Sequence, residues 1–81
     1  MAAAKIKVEY SDHARERLKE RSITRAQIVD CLFHGNLAGF DVRGRKISQK
    51  KIGSHTLIVI FLDVAGGGKV VVTAYWKGVF P

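Results

Sequence analysis

Eighty-one residues, 47% of them hydrophobic, make one domain with a single core, too small for two cores and too apolar to stay unfolded. A net charge of +7 and a pI near 10.0 favour polyanionic partners, whether RNA, DNA, an acidic membrane surface or an acidic protein. The single cysteine, Cys31, excludes an internal disulfide, and His13, His34 and His55 lack metal-ligand spacing, so neither a metal nor a cofactor is expected.

The chain is expected to form one domain over residues 1–81, with residues 1–4 disordered. Ile6, Val8 and Tyr10 alternate with charged residues, the period of a short half-buried strand. Ser11 or Asp12 then supplies a helix N-cap, and the helix runs to Arg21 or Ser22 with Ala14 and Leu18 inward. Thr24 and Gln27 have capping-box spacing for a second helix, with Ile23 placed to staple against Ile28. That helix is expected to bury Ile28, Cys31, Leu32 and Val29, and to end at His34-Gly35-Asn36, where glycine suits the left-handed terminating conformation. A thiol on this inward face is expected to be buried and inert.

After Asn36 the period becomes that of strands. Leu37 to Val42, Lys46 to Ile52, Thr56 to Val64 and Val70 to Trp76 are separated by Gly44, by Gly53-Ser54 and by Gly66-Gly67-Gly68. The last two strands are apolar on both faces and belong at the sheet's centre. Lys46 to Ile52 carries lysines on both faces, which reads as an edge or solvated strand. The glycine triplet leads into Val70-Val71-Val72 rather than into a helix, so it is a hairpin tip and not a phosphate loop. The fold class is therefore α+β: two antiparallel N-terminal helices, preceded by a short strand, packed on a four-stranded, mainly antiparallel sheet, with insertion of the N-terminal strand into or beside that sheet left open.

Chemistry concentrates on the first helix. His13, Arg17 and Arg21 recur every four residues beside the Ala14 and Leu18 seam, so their heads emerge in one line where a cleft would be walled. An imidazole moves protons near neutrality and guanidinium groups grip phosphate. Long basic side chains also border apolar seams merely to cover them. Thr73 and Tyr75 share one face of the last strand with Val71, opposite Val72, Ala74 and Trp76. If that face meets the first helix, His13 approaches Thr73 or Tyr75 in an open, positive groove. His55 is a further candidate acid or a loop-end histidine, and His34 suits helix termination. Arg43, Arg45, Lys46, Lys50 and Lys51 form a basic strip, suited either to phosphate contacts or to protecting an edge strand.

The run Tyr10-Ser11-Asp12-His13-Ala14-(x)2-Arg17-Leu18-(x)2-Arg21-(x)-Ile23-Thr24, with a terminal Val72-Thr73-Ala74-Tyr75 strand, resembles a family of small bacterial proteins known as a domain of unknown function. Its pattern is a Ser-x-His-Ala-x-x-Arg helix start followed by Arg-x-Ile-Thr. The residue between that second arginine and Ile is usually glycine, where this chain has Ser22. The family in turn resembles remote members of the barnase, EndoU, colicin and RelE superfamily of metal-independent ribonucleases and toxins. The resemblance implies helices before a four-stranded antiparallel sheet, and it marks His13, Arg17, Arg21 and Thr73.

Three functions follow as expectations. The first is a metal-independent, toxin-like endoribonuclease using His13 as base or acid and Arg17 and Arg21 on the phosphate, with Thr73 and Tyr75 as further site residues. A second is a non-catalytic RNA- or DNA-binding module working through Arg43, Arg45, Lys46, Lys50 and Lys51. The third is a basic surface docking an acidic, antitoxin-like protein. Met1-Ala2-Ala3-Ala4 is followed by charge, and the longest apolar run falls far short of the roughly 20 residues a membrane helix needs. A cytoplasmic protein outside the membrane is expected.

Overall fold

The computed structural model describes residues 7–78, so the expectation of disorder at residues 1–4 lies outside the described residues. A short strand, β1 (Val8–Tyr10), leads directly into helix α1 (Asp12–Glu20). Ser11 starts the helix: its backbone is extended and its Oγ accepts the Ala14 N–H at 3.0 Å. Helix α2 (Arg25–His34) opens with the capping box its sequence implies. The Thr24 Oγ1 accepts the Gln27 N–H at 3.1 Å, and the Gln27 Oε1 accepts the Thr24 N–H at 3.0 Å, which satisfies two otherwise unpaired donors. Ile23 and Ile28, on either side of that cap, both enter the core.

Helix α2 stops differently from expectation. Gly35 is extended (φ −88°, ψ −175°), not left-handed. Its requirement is space: a Cβ there would lie 2.4 Å from the Cys31 carbonyl oxygen and 2.6 Å from that of Gln49. Glycine lets the helix end lie directly on the sheet.

The sheet contains β2 (Asn36–Phe40), β3 (Lys46–Ile52), β4 (His55–Asp63) and β5 (Lys69–Trp76), with a 3-10 turn over Ala65–Gly67 joining the last two. Strand order is β1-β5-β4-β3-β2. The N-terminal strand pairs parallel with β5 and the other pairings are antiparallel, so the fold is α+β with five strands rather than four. Strands β4 and β5 hold interior positions, as their apolar faces imply. Strand β3 does too, flanked by β2 and β4, which corrects its reading as an edge. Ser48 on β3 is buried and donates to the Cys31 carbonyl at 2.8 Å.

Both helices cover one face of the sheet. Ala14, Leu18, Ile23, Ile28 and Cys31 meet Leu57, Val59, Val71 and Ala74 there. Ile28, Leu57, Val59 and Val71 are fully buried, each stabilising the fold by roughly 1.5–3 kcal/mol relative to exposure. The register of β5 shifts opposite Ile60 and Phe61: Thr73 pairs with Ile60, Val71 with Phe61, and Val72 is the extra residue. This bulge turns Val71 inward beside Ala74 and separates it from the face of Thr73 and Tyr75, a correction to strict alternation.

Candidate functional site

Helix α1 packs Ala14 and Leu18 on the sheet, and the His13-Arg17-Arg21 line ends at the helix's C-cap residue, Arg21. Its members are engaged separately. Arg21 Nη1 donates to the Ala74 carbonyl at 2.8 Å, and Trp76 Nε1 donates to the Arg21 carbonyl at 3.0 Å. Ser11 Oγ donates to the Val72 carbonyl at 3.2 Å. Since β1 pairs with β5 only over Lys69–Val71, the Ser11 and Arg21 side-chain bonds satisfy carbonyls on the part of β5 that β1 leaves unpaired. Arg17 Nη1 lies 2.6 Å from Glu20 Oε1, and His13 is exposed at the first turn.

Thr73 and Tyr75 lie elsewhere. Thr73 pairs with Ile60 and Tyr75 with Ile58, whereas Ala74 pairs with Val59 in the helix-covered core. Ladder partners share a face, so Thr73 and Tyr75 project from the open side of the sheet, a full layer from His13. The sequence-based expectation of one groove uniting His13 with Thr73 or Tyr75 is therefore not met.

The basic strip divides as well. Lys46 and Lys50 stand on the helix-covered face, Lys51 on the open one. Lys50 pairs with Asp30, and Lys46 joins Lys69 on Asp63. Two lysine hydrogen bonds hold the Asp63 carboxyl below its ordinary range. Arg45 Nε reaches Asp41 Oδ2 at 2.6 Å, while Asp41 Oδ1 accepts the Arg43 and Arg45 backbone N–H groups. Lost hydration raises the Asp41 carboxyl, but the Arg45 and Arg43 hydrogen bonds outweigh it and the net shift is downward. Arg45 is thus a turn anchor.

Six of the seven carboxylates are ion-paired. Among the described residues, Lys19, Arg21, Arg25, Arg43, Lys51 and Lys77 form no ion pair and carry the surplus charge. Two of them flank the open sheet face. Lys51 is opposite Thr56 in the β3–β4 ladder, and the Lys77 N–H donates to the Thr56 carbonyl at 2.8 Å. Lys51, Thr56 and Lys77 thereby make one rung, its lysines about 10 Å apart across the intervening strand. The next rung is Asn36, Gln49, Ile58 and Tyr75, and the one beyond carries Ile47, Ile60 and Thr73. Tyr75 is 38% exposed and Ile58 is buried beneath its neighbours. No carboxylate stands in these three rungs.

A family model described as a domain of unknown function, DUF4258, matches residues 10–76, which runs from the last residue of β1 to the end of β5. The chain belongs to the DUF4258 family. Neither the curated proteins nor the solved structures include a match to it. This DUF4258 chain brings together three residues singled out from sequence, Lys51, Thr73 and Tyr75, and adds Asn36, Gln49 and Lys77. Lys77 was legible: alternation from Tyr75 carries it to the same face. Asn36 and Gln49 were not, because their rung depends on strand pairing.

Among the described residues, no group of three or more His, Cys, Asp or Glu is arranged to hold a metal ion. Among the described residues, likewise, no helix is long and apolar enough to cross a membrane. Cys31 is buried, its thiol pushed up by desolvation, so it carries no reactive thiolate at neutral pH.

Proposed function

We propose that this domain binds single-stranded RNA on the open face of its sheet. One observation carries the reading: an exposed Tyr75 ring lies one rung from two uncompensated lysines, Lys51 and Lys77, with the Gln49 and Asn36 amides in its own rung. Single-stranded nucleic acid is held by such a set, with aromatic faces stacking bases, cations tracking phosphates and amides meeting base edges. The surplus positive charge adds steering toward any polyanion.

Fluorescence anisotropy with short single-stranded RNAs over a salt series tests the reading. Stacking on an aromatic contributes about 1–3 kcal/mol per base, so Tyr75→Ala should weaken binding by roughly fivefold to a hundredfold. Lys51→Ala and Lys77→Ala should each reduce the steepness of the salt dependence by about one phosphate's worth. His13→Ala should leave affinity unchanged. Loss of binding in His13→Ala with none in Tyr75→Ala would move the site to the helical layer and reject this reading.

Cleavage is the second reading, favoured by a phenol hydroxyl beside cations on the same face. Metal-independent phosphodiester transfer needs a base for the 2′-hydroxyl proton, an acid for the leaving oxygen and charge stabilisation; Tyr75 and the lysines supply the last two, the base is unassigned on this face, and the superfamily resemblance of the Ser-x-His-Ala-x-x-Arg helix points the same way. Incubation with RNA, its 2′-deoxy analogue and EDTA separates it from binding alone. Cleavage that survives EDTA, requires the 2′-hydroxyl and disappears in Tyr75→Phe supports it, and an intact RNA under conditions of saturated binding rejects it.

A further inference from the structure

Charge is distributed unevenly over the open face of the sheet. Its two uncompensated lysines, Lys51 and Lys77, stand in one rung with Thr56 between them, and that rung lies at the end of the sheet. The Gly53-Ser54 turn joins β3 to β4 just past it, and β5 stops at Trp76. On the other side of Tyr75 the face runs over Ile47, Ile60 and Thr73, then over Leu62 and Val70, to Glu9, which is paired with Lys7. Arg45, just before β3, is held by Asp41. A groove that tracks a strand across its whole surface places cations along the path. Here the unpaired cations meet at one place, one rung from the aromatic ring.

We propose that this face recognises a phosphorylated RNA end: the terminal phosphate sits over Thr56 between Lys51 and Lys77, and the base of the same end nucleotide stacks on Tyr75. The inference rests on the single-stranded RNA reading and narrows it to one class of end. Charge balance selects the monoester. A phosphodiester carries one negative charge, whereas a terminal phosphate, with a second pKa of about 6, carries about −1.5 to −2 at neutral pH. Two ammonium groups with no carboxylate in their rung match the dianion and exceed the diester. Their backbones stand about 10 Å apart, and the long flexible lysine stems let both heads meet one phosphate above the strand between them. The Thr56 hydroxyl on that strand adds a third donor. Charge-assisted hydrogen bonds of this kind are about twice as strong as neutral ones. The rest of the strand leaves past Ile60 and Thr73, where its diesters stay hydrated.

Calorimetry of the full chain with one short RNA sequence in four unlabelled forms tests the proposal: 5′-phosphorylated, 3′-phosphorylated, hydroxyl at both ends, and circular. At least one phosphorylated form should bind about tenfold tighter than the hydroxyl-ended and circular forms, and the two phosphorylated arms identify which end is recognised. Lys51→Ala and Lys77→Ala should each remove most of that ratio. Thr56→Val should lower it, and Thr56→Ser should keep it. Lys19→Ala deletes an unpaired charge from α1 and should weaken all four forms alike, with the ratio intact. Phosphorylated ends that bind no tighter than hydroxyl ends, or a ratio that survives both lysine substitutions, overturn the proposal. Equal binding of all four forms that still depends on Tyr75 overturns it and leaves the single-strand reading standing, whereas absence of binding by every form overturns both.

Discussion

Ser22 lies in the left-handed region at φ 54°, between Arg21 and Ile23. For a residue with a Cβ that conformation costs roughly 1–2 kcal/mol, and glycine adopts it freely. The helix motif in this chain resembles one that usually has glycine here, and the backbone gives the physical reason. Ser22→Gly should therefore raise stability by about 1 kcal/mol, part of the gain being offset by the greater freedom of glycine in the unfolded chain. In a domain of this size that is a melting increase of about 4–8 °C, and an unchanged or lower melting temperature would refute the strain. Gly35 shows the opposite sensitivity. Gly35→Ala pushes a methyl against two backbone carbonyls, neither of which can rotate away, and should cost about 1–3 kcal/mol in urea unfolding.

At the scale of elements, what the sequence made legible is local chemistry. The Thr24-Gln27 capping box and the Ser11 cap are one-turn hydrogen-bond patterns, and the structure forms both. The glycine triplet contains the β4–β5 turn, where Gly66 and Gly67 are left-handed. Less legible were features that depend on pairing across the chain. The bulge at Val72 exists because β5 must match β4 across Ile60 and Phe61, and it reverses the inward residue from the one that simple alternation selects. Strand β3 carries four charged or amide side chains yet runs inside the sheet, since Lys46 and Lys50 find Asp63 and Asp30. Arg21 is the sharpest instance. Its spacing suggested phosphate binding, whereas its guanidinium closes the β5 edge. Arg21→Ala should lower stability by about 1 kcal/mol while leaving RNA affinity within the change expected for one distant charge. A variant of wild-type stability with a large affinity loss would return Arg21 to the binding site.

For the molecule as a whole, charge is distributed so that nearly every carboxylate is neutralised locally and the excess is cationic. Acidification removes the neutralising partners and adds three histidine charges, so the net charge more than doubles and self-repulsion grows. Asp63 and Asp41 titrate below the ordinary carboxylate range in the folded protein. A carboxyl lowered on folding contributes stability above its unfolded value, near pH 4, and that contribution is lost as pH falls through the lower folded value. Asp63, bonded to Lys46 and Lys69, is the cleaner test, because Asp63→Asn keeps its shape and removes the titration. Its side chain is 38% exposed, so solvent screening limits the effect at neutral pH to about 1 kcal/mol. Urea unfolding should find Asp63→Asn less stable than wild type at pH 7, with the gap narrowing between about pH 5 and pH 2 as the wild-type carboxyl protonates. A gap that stays constant across that range would mean that the lysine pairs contribute through packing alone, and that acid sensitivity originates elsewhere in the charge distribution.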